Sequence, residues 1–182
     1  ASRLDPRKRI DLAIRVVAQA HERLPALQFD IYGKGGEADN LRHLIQELAA
    51  QGYIHLRGHA DLKQIYPCYQ AYLTTSQWET FGLTLMEAAG AGLALLGFDA
   101  RYGNPTFIKE GENGFLVPYS ETVPEEELVK ELAGKLVQLF ESDLASFHQA
   151  SYDLASSYLA SNVQEVWKET LMEMGQFGGK GI

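Results

Sequence analysis

The chain has 182 residues, 46% of them hydrophobic and 22% charged, with a net charge of −8 and a single cysteine. A domain of this length buries about 70% of the surface its unfolded chain exposes, so one compact core is expected. The acidic balance argues against nucleic acid as a partner. One cysteine excludes an intrachain disulfide framework and suits a reducing, cytoplasmic setting, and no apolar run approaches the ~18 residues of a membrane span.

The chain opens on Ala1 with no basic-then-apolar leader pattern, as expected of a piece cut from a longer protein. Apolar residues at Ile10, Ala13, Ile14 and Val17 have the spacing of an amphipathic helix opened by Pro6. "LQFDIYG" then alternates Leu27, Phe29 and Ile31 with Gln28, Asp30 and Tyr32 and stops at Gly33, the pattern of a strand closed by a turn. Leu41, Leu44, Ile45 and Leu48 repeat the helical spacing, "YIHLRG" reads as a strand, and Asp61 N-caps a short helix carrying Leu62, Ile65 and Tyr66. "AYLTTS" is a strand, "FGLTLMEAAG" a helix and "LALLGFD" a strand. Beyond residue 120 three helices are predicted, in "PEEELVKELAGKLVQLF", "SDLASFHQASYDLASSYL" and "NVQEVWKETLMEM", before a Gly-rich, flexible tail at 176–182. Alternating strands and helices over residues 1–98 predict an α/β, Rossmann-like, doubly wound parallel sheet with helices on both faces.

Ligands of such sheets bind beyond the carboxyl ends of the strands. "YGKGGEA" sits there, with Gly33, Gly35 and Ala38 in the G-x-G-x-x-A spacing that lets a backbone approach a phosphate or simply makes a tight turn. So does "ETFGLTLMEAAGAG". Its Phe81-Gly82 opens a helix whose free N–H groups and partial positive charge suit a diphosphate. Glu79 precedes that helix, Glu87 lies inside it, and no Lys or Arg between them neutralises either; both acids are expected to border one pocket. No Asp-x-Asp pair occurs, so neither a carboxylate-held divalent metal nor any other cofactor is expected. Arg3 and Lys8, either side of Pro6, are the candidate counter-charges, with Arg7 and Arg9 left solvated. Cys68 reads as a small buried hydrophobe, and His21, His43 and His148 as solvent-facing. His55 and His59 share no helix face and do not make a metal site. Trp167 and Leu171 are expected to pack on the body of the domain.

"RLDPRK", "YGKGGE", "ETFGLTLME" and "GENGFLVP" together resemble the C-terminal, donor-binding domain of retaining GT-B glycosyltransferases with a Glu-x7-Glu motif, over residues 1–175. More narrowly, "FDIYGKGGE", "LRGHADL" and "FDARYGNPTFI" look like the bacterial enzymes that add N-acetylglucosamine to serine-rich adhesins, with wall teichoic acid glycosyltransferases second. The resemblance implies a UDP-sugar donor and a separate N-terminal acceptor domain. It also implies a second glycosyltransferase subunit as partner, with membrane contact only through those other parts. It further implies that Arg3 and Lys8 hold the diphosphate, Gly33 and Gly35 give it room, and His59 lies beside the uracil. Glu87 would bind the ribose, Phe81, Gly82, Leu83 and Thr84 would offer backbone amides, and Glu79, the catalytic residue, would contact the donor sugar and help stabilise charge as the glycosidic bond breaks. Thr80, where the family more often has Gly, and Arg7, where it often has Glu, depart from the pattern. The strand expected before Ser2-Arg3 is cut short.

Two readings of other classes compete. An NADP-binding oxidoreductase domain would use the glycines and Arg57, but leaves Glu79, Glu87, Arg3 and Lys8 without a role. A non-catalytic nucleotide-sugar module would not need both acids of the motif.

Overall fold

The structure, a computed structural model, describes residues 1–177; the predicted Gly-rich tail lies outside the described residues from 178 onward. A single 3-10 turn at Pro6–Lys8 leads into α1 (Ile10–His21), followed by β1 (Phe29–Tyr32), α2 (Ala38–Glu47), β2 (Ile54–Gly58) and α3 (Leu62–Ile65). After β3 (Ala71–Thr74) come α4 (Leu83–Gly90), β4 (Ala94–Phe98), α5 (Gly103–Phe107) and β5 (Gly114–Val117), and three helices close the chain: α6 (Glu125–Glu141), α7 (Leu144–Ser156) and α8 (Ala160–Phe177).

Every strand pairing is parallel, as the alternation of elements predicts. The pairing is divided, however: β1 joins β2, while β3, β4 and β5 form a separate three-stranded sheet. Residues 28–32 and 71–76 face one another across a cleft. Ala1 to Leu4 run along the carboxyl end of β1, where the N–H groups of Ser2 and Leu4 donate to the carbonyls of Tyr32 and Lys34, each at 3.0 Å.

β4 is buried on both faces, and its side chains alternate between two cores. Ala94, Leu96 and Phe98 join α1 and α6 through Leu12, Val16, Leu132 and Leu136. Leu95 points the other way, to Tyr72, Leu85, Ala88 and Phe107. Helices on both faces of a continuous apolar strand are what a parallel sheet requires. α5 and β5 fill the stretch between 99 and 120 where no element is predicted.

Three side-chain expectations fail. Cys68 is exposed; Tyr66, two residues earlier in the same 3-10 turn, occupies the core instead at 5% exposure. Trp167 and Leu171 lie on an uncovered side of α8, 61% and 60% exposed. The amphipathic period was read correctly, but among the described residues no surface packs over it. Arg9 is not solvated: its guanidinium pairs with Asp11 at 2.9 Å and Glu125 at 2.5 Å. Of the histidines, His43 is exposed, whereas His21 stacks on Tyr53 with ring centroids 3.6 Å apart and His148 bonds the Gln70 carbonyl through Nε2 at 2.8 Å. Among the described residues no helix is long and apolar enough to cross a membrane.

Candidate active site

The candidate residues collect at the carboxyl edge of the strands. Gly33 follows β1, His59 follows β2, and the segment from Thr75 to Glu79 follows β3. β3 ends in three buried hydroxyl residues, Thr74, Thr75 and Ser76, and two of them organise the site. The Thr75 hydroxyl donates to the carbonyl of Arg9 at 2.7 Å, holding the 3-10 turn that carries Lys8 against the sheet. The Ser76 hydroxyl donates to Glu79 Oε1 at 3.1 Å.

Lys8 Nζ bonds that same carboxylate oxygen, and both side chains are largely enclosed, at 19% and 16% exposure. The counter-charge that no residue between 79 and 87 provides therefore comes from position 8. An ion pair in a partly enclosed cleft is strong only while both partners stay. A ligand that brings its own negative charge competes with Glu79 for Lys8.

The backbone of Glu79 is clamped by the loop after β4. Its N–H donates to the Arg101 carbonyl at 3.1 Å, and its carbonyl accepts from Tyr102 and Gly103 at 2.6 and 2.8 Å. Two residues on, Phe81 packs edge-to-face on Phe107 at 5.4 Å, and Gly82 takes φ +85 as the N-cap of α4. That left-handed backbone is open to glycine at no steric cost and strained for other residues. No side chain caps α4, and its first turn holds no acid, so its leading N–H groups have no partner within the helix and remain available to an anion. Phe81 and Leu83 are exposed beside them.

The floor of the site is a pair of tyrosines. Tyr66 and Tyr72 meet edge-on, 6.0 Å apart, and the Tyr72 hydroxyl lies 3.0 Å from both the Thr84 hydroxyl and the Ala1 carbonyl. Burial pushes the Tyr72 hydroxyl up to about 12; the Thr84 hydroxyl opposes the rise, while the charges of Glu79 and Glu87 add to it. Tyr66 is raised likewise by burial, then by Tyr72 and Glu87. Both phenols stay protonated at neutral pH and serve as neutral hydrogen-bonding groups.

Glu79 and Glu87 do not share one pocket, contrary to expectation. Lys8 and Glu79 border the cleft between the two sheets. Glu87 borders an adjacent cleft with His59, Lys63 and Gly90, and Tyr66 lines both. The division follows from the helix: Glu87, exposed one turn past the start of α4, has rotated away from the loop that carries Glu79.

Gly33 and Gly35 have a role that needs no ligand. A Cβ at Gly33 would stand 1.8 Å from the Ser2 carbonyl oxygen, and one at Gly35 would stand 2.1 Å from that of Leu4. Both glycines make room for the opening segment of the chain. Gly35→Ala should therefore lower stability by about 1–3 kcal/mol through overpacking against main chain, read as a drop in urea midpoint; an unchanged midpoint would show that the segment moves aside freely. Arg3 stands outside the lining of both clefts, with its exposed guanidinium 3.5 Å from Asp5. Thr75, Ser76, Tyr66 and Tyr72 were not anticipated as site residues; the hydroxyl run closing "AYLTTS" was the available signal. Among the described residues no three His, Cys, Asp or Glu side chains gather as a metal site.

Residues 1–142 match the family described as glycosyl transferases group 1. The chain is 50% identical, over 96% of its length and 35% of the relative's, to the UDP-N-acetylglucosamine–peptide N-acetylglucosaminyltransferase GtfA subunit of Streptococcus gordonii. It superposes on the pneumococcal O-GlcNAc transferase GtfA in complex with UDP and GlcNAc with a TM-score of 0.88 and 48% identity, covering 94% of this chain and 34% of that one. A GtfA/B complex structure matches with the same TM-score at 50% identity, covering 94% and 34%. The chain thus spans about a third of the length of the curated relatives it matches.

Proposed function

Because the chain belongs to the group 1 family of glycosyl transferases, we propose that it is the donor-binding half of a retaining GT-B enzyme that moves N-acetylglucosamine from UDP to Ser or Thr of a serine-rich bacterial adhesin. The observation that carries this is the pair of adjoining clefts. Lys8 and Glu79 line one and His59 and Glu87 line the other, while the uncapped start of α4 follows Glu79 in the chain and meets the first cleft through Thr84, whose hydroxyl bonds that of Tyr72. A nucleotide sugar has that order of polar groups: a nucleoside, then a doubly negative diphosphate, then a polyhydroxylated ring. His59 lies beside the uracil and Glu87 accepts hydrogen bonds from the ribose hydroxyls. The amides from Phe81 to Thr84 and the ammonium of Lys8 hold the diphosphate, and Arg3 reaches it by leaving Asp5. Gly33 and Gly35 shape that end indirectly, by seating residues 2–4. Glu79 faces the sugar and stabilises the positive charge that grows as the glycosidic bond breaks. The acceptor domain and a second glycosyltransferase subunit complete the enzyme in the cytoplasm.

Diphosphate neutralisation by Lys8 and helix α4 is proposed to need no divalent cation. One charge-assisted hydrogen bond contributes about 1.5–3 kcal/mol, so Lys8→Ala should weaken UDP roughly 10- to 100-fold. Calorimetric titration with UDP, UDP-N-acetylglucosamine and NADPH, each with and without EDTA, tests the assignment. Binding of the uridine ligands but not NADPH, unaffected by EDTA, is expected. A strict Mg²⁺ requirement, or an unchanged Lys8→Ala affinity, overturns the diphosphate assignment, and preference for NADPH overturns the function.

A further inference from the structure

On the far side of the Glu79 loop lies a third cleft, which the proposed donor does not use. Successive residues of an extended segment point to opposite sides: Glu79 turns toward Lys8 and Ser76, and Trp78 lines the other cleft together with Arg7, Gln77, Asp99, Arg101 and Tyr102. Trp78 is 67% exposed and Tyr102 62% exposed, so two large aromatic faces stand open within one residue of the proposed catalytic carboxylate and within one hydrogen bond of its backbone. Around them, among the described residues, the side chains of Gln77, Asp99 and Arg101 make no hydrogen bond or ion pair within the protein, and the exposed guanidinium of Arg7 has only a 3.5 Å approach to the partly buried Asp5. Exposed aromatic faces rimmed by polar side chains mark a binding surface, whereas the hydrated polar groups alone cost the free protein nothing.

The chemistry narrows the occupant. Charges in the cleft balance, Arg7 and Arg101 against Asp99 and Glu121, so a phosphate gains little. An extended peptide binding by strand addition needs free main-chain groups, and those of Glu79, Tyr102 and Gly103 are already spent on one another. A pyranose ring fits both features: its axial C–H bonds form an apolar face that lies on the negative face of an indole or phenol, and its hydroxyl rim pairs with carboxylate, amide and guanidinium edges.

We propose that this cleft is an acceptor-side sugar subsite, which holds an N-acetylhexosamine already attached to the polypeptide while the next hydroxyl is presented to the donor. It rests on the proposed transferase function and adds that the enzyme recognises its own earlier product, favouring dense modification of a Ser-rich stretch.

The test uses the full-length enzyme with UDP-N-acetylglucosamine and two acceptors: a Ser-rich peptide, and the same peptide carrying one N-acetylglucosamine. In Trp78→Ala the KM for the glycopeptide should rise roughly 10-fold, the loss of about 1.4 kcal/mol. The bare peptide and the UDP affinity should change less than about twofold on the same scale, and Trp78→Tyr should restore the glycopeptide. Equal losses for both peptides would assign the cleft to polypeptide, and no loss, or a parallel loss of UDP binding, would overturn the subsite. Saturation-transfer NMR with methyl N-acetylglucosaminide at saturating UDP reads the subsite without transfer. A signal from the wild type that Trp78→Ala abolishes supports it, and the absence of any Trp78-dependent signal overturns it. Failure of the wild type to modify either peptide, with that signal present, refutes the transferase function and leaves the sugar site standing.

Discussion

Glu79→Ala in the full-length enzyme should lower turnover about 100- to 1000-fold, the loss typical of removing one group that stabilises developing charge, while leaving UDP affinity intact or improved. The second half of that expectation comes from the ion pair. In the free protein Lys8 is held by Glu79 inside a cleft that exposes less than a fifth of either side chain. A diphosphate must draw Lys8 away from its partner, so removing Glu79 frees an ammonium group that is partly desolvated and in need of an anion. Glu87→Ala should do the opposite. It has no ion pair to release among the described residues, and its loss removes ribose contacts worth about 1.5–3 kcal/mol, or roughly 10- to 100-fold in UDP affinity. Calorimetry with UDP and steady-state kinetics, run on both variants, separate the two acids. If Glu79→Ala abolishes UDP binding and Glu87→Ala is silent, the nucleoside and sugar assignments are exchanged.

What could be read from the sequence divides along the range of the interactions. α1 and α2 follow from local period, and Gly82 is placed at the start of α4 by its neighbours alone. α5 was not legible because "GNPTF" contains Gly, Asn and Pro in five residues, none a helix former; it stands because Asn104 donates to the Phe98 carbonyl at 2.8 Å and Phe107 is fully buried. β5 is four residues long and has no alternation to detect. The roles of Glu79 and Glu87 were readable as two unneutralised acids, yet the partner of Glu79 lies 71 residues away, a separation no spacing rule spans. The glycines of "YGKGGE" show the reverse hazard. Their spacing fits a phosphate loop, and the atoms they make room for are the carbonyls of Ser2 and Leu4.

The 182-residue chain, taken alone, should bind UDP and transfer no sugar. Every group assigned to the donor lies between Arg3 and Glu87, and the two clefts lined by Lys8 and Glu79 and by His59 and Glu87 are bounded by this chain's own residues. None of these groups positions an acceptor hydroxyl beside the anomeric carbon, and relatives of the chain are about three times its length. Bringing two reactants into register supplies about 7–11 kcal/mol of a barrier; with one of them left in free solution that contribution disappears, and rates fall by at least about 10⁵-fold. Water needs no such site, so slow hydrolysis of UDP-N-acetylglucosamine is the expected residual reaction. Incubating the chain with the donor and a Ser-rich peptide, and following the peptide by mass spectrometry for the addition of one sugar, checks this against the full-length enzyme with its partner subunit. Hydrolysis without transfer is the expected outcome. Peptide modification at a rate near that of the control would place the acceptor site within these 182 residues, and the Trp78 cleft would then be the first place to look for the whole of it.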